Sequence, residues 1–112
     1  MPTPTKSNFS HPNESAHPTA NMAVDTVELG GRTFRRVTIQ PGWRWTTDLA
    51  LVVGTKTCRM EHLLYMLSGR MAVRADSGEE VEFAAGDLAH IPPGHDGWTV
   101  GDEPASWVEI PH

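Results

Sequence analysis

From Val24 onward, short apolar runs recur between glycine, proline and aspartate turn signals, and no window carries a capped apolar stripe of roughly 3.6-residue period. The pattern predicts an all-β chain. Strands are expected over residues 33–40, closed by Pro41-Gly42, then 43–46, and 50–53, closed by Gly54. Residues 63–67 follow and turn at Ser68-Gly69 into 71–75, which turns at Asp76-Ser77-Gly78 into 80–83. Residues 88–91, 98–100 and 106–110 complete about eight to ten strands, as in a sandwich, a jelly roll or a small barrel. Alternation puts Val81 and Phe83 on an inner face, opposite Met71, Val73 and Ala75, with Glu80 and Glu82 outside. It also puts His62, Leu64 and Met66 on one face and Leu63, Tyr65 and Leu67 on the other. Both faces are apolar, so this strand is expected to be central.

The first 23 residues break the pattern. Pro2, Pro4, Pro12 and Pro18 stand among serines, threonines and asparagines, with too few apolar side chains to offset the entropy of ordering them. The chain therefore reads as a flexible, disordered tail over residues 1–23 and one domain over 24–112, with His11 and His17 solvated in the tail. At 112 residues the chain can bury about two-thirds of the surface it exposes when unfolded. The net charge of −5 and the lack of a lysine or arginine run argue against a nucleic-acid partner. A sole cysteine, Cys58, forbids an internal disulfide and fits a reducing compartment, and neither a secretory signal nor an apolar run of about 20 residues is evident. A cytoplasmic protein with no membrane association is expected.

The segment from Gly86 to Trp98 narrows the architecture: a short apolar strand stops at a rigid Pro92-Pro93-Gly94 corner that carries His95. Gly86, Pro92 and Gly94 fall on the second cupin signature, Gly-x5-Pro-x-Gly-x2-His-x3-Asn, and the chain resembles a small single-domain cupin over most of residues 24–110. Gly97 stands at that signature's histidine and Gly101 at its asparagine. Counting back from Gly69 through the first signature, Gly-x5-His-x-His-x(3,4)-Glu-x6-Gly, places His62 at the glutamate, and Lys56 and Cys58 at the paired histidines. The longer spacer would place Thr55 and Thr57 there. The resemblance implies a double-stranded β-helix, the jelly-roll barrel, with a divalent metal held inside. It also implies pairing into a homodimer, which an exposed sheet edge would favour.

Cys58, His62 and His95 form the candidate metal set, a thiolate and two imidazoles suited to zinc or iron(II) with one coordination position left open. His95 would enter about 6–7 Å along the strand from the usual ligand, and Lys56 would have to turn its ammonium to water. The candidate ligand pocket is Lys56, His62, His95 and Trp98, which suits a small anionic or aromatic metabolite. Two functions follow. One is metal-dependent chemistry on a small, anionic metabolite inside the barrel; the other is a metal-free module that binds or senses a small molecule. No catalytic base is apparent, because alternation turns Glu61 and Tyr65 away from His62. A nucleophilic Cys58, its pKa lowered by Lys56, is a further branch. Structural roles compete for the same residues: Cys58 as a core side chain, His62 bonded to a backbone carbonyl, and His95 bonded to Asp96 or backbone. Arg44 would lie over Trp43 and Trp45, the four tryptophans would be structural, Asp87 would tie its own turn, and His90 fits surface or pocket.

Overall fold

The computed structural model describes residues 2–111, and the chain folds as two antiparallel sheets packed face to face. The larger sheet runs in the order β1 (Glu14–Thr19), β2 (Met22–Leu29), β3 (Arg32–Ile39), β9 (Ala105–Glu109), β4 (His62–Ser68) and β7 (Leu88–Ile91). The smaller has β5 (Arg70–Ala75) between β6 (Glu80–Ala84) and β8 (His95–Thr99). This is the all-β jelly roll that the resemblance implies. Ile39, Leu64 and Met66 are fully buried between the sheets, with Trp43, Trp45 and Trp107 around them. β4 lies between β9 and β7, as expected, but its two faces differ: Leu64 and Met66 are buried, whereas Tyr65 and Leu67 are about two-fifths exposed on the outer face. At the turn from β4 into β5 a Cβ on Gly69 would collide with the Pro104 carbonyl, so only glycine fits.

Two expectations are corrected. The stretch expected to be a flexible tail over residues 1–23 contains β1 and the start of β2, paired as Glu14↔Thr26, Ser15↔Asp25 and Ala16↔Val24. Its order comes from backbone pairing and local polar bonds such as Ser15 Oγ to Asp25 at 2.8 Å, so no apolar alternation announces it. The pairing is irregular between Ala16 and Thr19, where Pro18 lacks a donor, and an edge strand tolerates that loss.

The strands expected over 43–46 and 50–53 are replaced by one π-helical turn, Trp45–Leu49, and a single α-helical turn, α1 (Ala50–Val53). The Asp48 carboxylate accepts the Arg44 N–H at 2.8 Å while the Asp48 N–H donates to the Arg44 carbonyl at 2.8 Å, closing the backbone on itself. Short apolar runs do not distinguish these outcomes. Leu49 and Ala50 then pack, like Met22 and Val24, against the core. Among the described residues no helix is long and apolar enough to cross a membrane.

Candidate metal centre

Cys58 and His95 are tied to each other through the backbone. The Cys58 N–H donates to the His95 carbonyl at 2.7 Å, and the Gly94 and His95 N–H groups donate to the Cys58 carbonyl at 2.7 and 3.2 Å. His62 opens β4, and its side chain shares the inner face with Leu64 and Met66. The ligand atoms of Cys58, His62 and His95 consequently lie within 4.8 Å of one another. The imidazole rings meet edge to face, with centroids 5.2 Å apart.

Each imidazole is oriented by a second partner. His62 Nδ1–H donates to Glu109 Oε1 at 3.0 Å, the Trp107 indole N–H donates to the same oxygen at 2.9 Å, and Nε2 is left facing Cys58 Sγ at 3.5 Å. His95 Nδ1–H donates to the Pro92 carbonyl at 2.9 Å, which leaves its Nε2 as an acceptor. Carboxylate–imidazole and carbonyl–imidazole pairs of this kind fix the tautomer a metal ligand needs. Two oriented imidazoles beside a thiol form a cluster that could hold a metal ion.

The electrostatics favour the deprotonated thiol. Burial pushes the Cys58 thiol up, but the hydrogen bond with His62, the facing His95 and the Met60 backbone N–H bring it down to about 6. For His62, burial pushes the imidazole down, while the hydrogen bonds and charges of Cys58 and Glu109 raise it to about 9. Both shifts favour a thiolate beside an imidazolium.

These residues occupy one side of a cavity of about 240 Å³ whose other walls are apolar, among them Trp43, Trp45, Met71, Val73 and Trp107. Gly97, at the second signature's histidine position, faces the same cavity. Two members of the expected ligand pocket are absent from it. Lys56 is exposed in the loop after α1 and is not part of the lining, so it does not activate Cys58; the two histidines do. Trp98 lies on the opposite face of β8 from His95 and Gly97, beneath the Arg44 guanidinium at 4.8 Å, because alternation turns even-numbered side chains there away from the cavity. Arg44 thus stacks on Trp98, not on Trp43 and Trp45.

Other residues also find their places. His90 pairs with Glu61 at 2.8 Å on the surface, and Asp87 Oδ2 accepts the Ala84 N–H at 2.8 Å, tying its own turn as expected. Glu109 went unnoticed in the sequence. Its signal was a carboxylate two positions after Trp107 on the inward-facing register of β9, where an apolar residue is the norm.

The family model described as "Cupin domain" matches residues 52–111. Among solved structures, the polyketide cyclase RemF from Streptomyces resistomycificus superposes with a TM-score of 0.68 at 15% identity, covering 97% of this chain and 79% of its own. A DUF1255 protein of unknown function from Acidithiobacillus ferrooxidans gives 0.63 at 17% identity, covering 88% of this chain and 87% of its own. A protein of unknown function from Rhizobium leguminosarum gives 0.58 at 25% identity, covering 83% and 84% respectively. No protein of curated function matches the sequence.

Proposed function

The chain belongs to the cupin family, and from that premise we propose that it is a metal-dependent cupin in which Cys58, His62 and His95 hold one zinc or iron(II) ion beside a small-molecule cavity. The observation that carries this reading is the convergence of the three donor atoms within 4.8 Å, with both imidazoles oriented from behind. When bound, such an ion supplies Lewis acidity, polarising a carbonyl or lowering the pKa of a coordinated water. The chain's own residues do the rest. Glu109 and the Pro92 carbonyl hold the rings, and the tryptophan-rich walls keep water from the bound molecule and strengthen every polar contact at the far side.

The sequence favoured an anionic ligand because of Lys56. With Lys56 outside the cavity, Arg59 at its rim paired to Asp76 at 3.1 Å and the Glu109 carboxylate within its lining, an uncharged ligand fits better. A metal-free binding module is the second reading, favoured by the direct Cys58–His62 contact, in which the two groups satisfy each other.

Metal analysis of protein purified without an affinity tag separates the two. We expect about one equivalent of zinc or iron, lost from Cys58→Ser and His62→Ala while the variants keep their fold. A folded wild-type protein that carries no metal, and takes none up, overturns the first reading in favour of the second.

A further inference from the structure

The chain has ten glycines. Nine of them have positive φ, the left-handed region that favours glycine, and Gly97 is the exception. Packing does not demand a glycine there either. A Cβ at Gly97 would meet the Ala72 carbonyl oxygen at 3.5 Å and Val73 Cγ2 at 3.8 Å, ordinary van der Waals separations. Gly97 is in β8, paired with Val73 of β5, a setting in which glycine weakens a strand relative to a residue with a side chain. The fold thus gains nothing from glycine at this position, and the cavity does. Gly97 is in the cavity wall, one inward step from His95, at the position where the cupin signature has a histidine.

We propose that Gly97 is the specificity-determining position of the cavity: its missing side chain makes room for an uncharged fused-ring or similarly flat ligand whose polar group faces Cys58, His62 and His95. This rests on the reading that the cavity is the ligand site. The size follows from the space available. A dry apolar cavity of about 150 Å³ accepts benzene, so one of about 240 Å³ accepts roughly ten non-hydrogen atoms. Without metal, uncharged character follows from the pairing of the cationic groups among the described lining residues: Arg59 is paired with Asp76, and His62 lies between Cys58 and the Glu109 carboxylate. A branched side chain at position 97 would take the space of the second ring.

The test titrates 2-naphthol, phenol and 2-naphthoate into wild type, Gly97→Ala and Gly97→Val, as purified and again after dialysis against a chelator. In dialysed wild type, 2-naphthol should bind most tightly of the three. Gly97→Val should lose about tenfold or more in 2-naphthol affinity and less than about twofold in phenol affinity, with Gly97→Ala between the two. Both variants should melt at or above the wild-type temperature and retain the wild-type metal content. Unchanged 2-naphthol affinity in Gly97→Val, tighter binding of 2-naphthoate or phenol by dialysed wild type, no binding of 2-naphthol at all, or a lower melting temperature in Gly97→Ala would each overturn the proposal. Because the contrast is read with and without metal, a metal-free protein would refute the metal centre and leave this result standing.

Discussion

Glu109 sets what His62 can do. Its carboxylate holds Nδ1–H, so Nε2 faces Cys58, and the two groups shift each other toward thiolate and imidazolium. Cys58 is lowered from its ordinary 9.0 to about 6, so thiolate persists above pH 6 and is lost as the pH falls through that value. Alkylation of chelator-treated protein by iodoacetamide should therefore show a midpoint near pH 6, move upward in Glu109→Gln, and be suppressed by added zinc. A midpoint at the ordinary thiol value would show that His62 does not act on Cys58. Cys58 and His62 could be singled out in the sequence because they stand at ligand positions of the first signature, and His95 because it is the histidine carried by the Pro92-Pro93-Gly94 corner, two residues before the second signature's position. Lys56 misled because spacing places a backbone position, while a long flexible side chain in a loop goes where its charge is solvated. Glu109 was hidden because its partners lie 47 residues away in His62 and two away in Trp107, and only the pairing of β4 with β9 joins them.

At the scale of elements, a buried carboxylate helps fasten the segment around Trp45, one of the cavity's tryptophans, to β8. Asp96 accepts Arg44 Nε at 2.7 Å, the Thr46 N–H at 3.1 Å and Thr46 Oγ1 at 3.0 Å, and it lies next to His95. Removing it leaves several donors without an acceptor. Asp96→Ala should cost about 2–4 kcal/mol in urea denaturation, and Asp96→Asn roughly half of that, since the amide keeps one acceptor oxygen but loses the charge. A loss below about 0.5 kcal/mol would mean that the backbone bond from Thr99 N–H to the Trp43 carbonyl, the Arg44–Trp98 contact and apolar packing hold the segment without Asp96. Most strands could be read from alternation and turn residues because each has one buried face. β1 and the π-helical turn could not: the first buries almost nothing, and the second depends on where Asp48 and Asp96 place their oxygens.

For the whole molecule, unequal sheets create the site. The larger sheet has six strands and the smaller three, and the cavity is lined by residues of both sheets and of the helical turns, with the three donors among them. The glycine and proline skeleton announced this architecture because turns that need positive φ or a fixed corner admit few residues. The chemistry was less legible, since every ligand position departs from the signature and only the folded chain shows which donors converge. Cobalt(II) titration of metal-free protein tests that convergence most directly, because a thiolate–cobalt bond has its own charge-transfer absorption. The account predicts a band that saturates at one equivalent, disappears in Cys58→Ser and is altered in His95→Ala. Absence of the band in folded wild-type protein, or its persistence in Cys58→Ser, would contradict it.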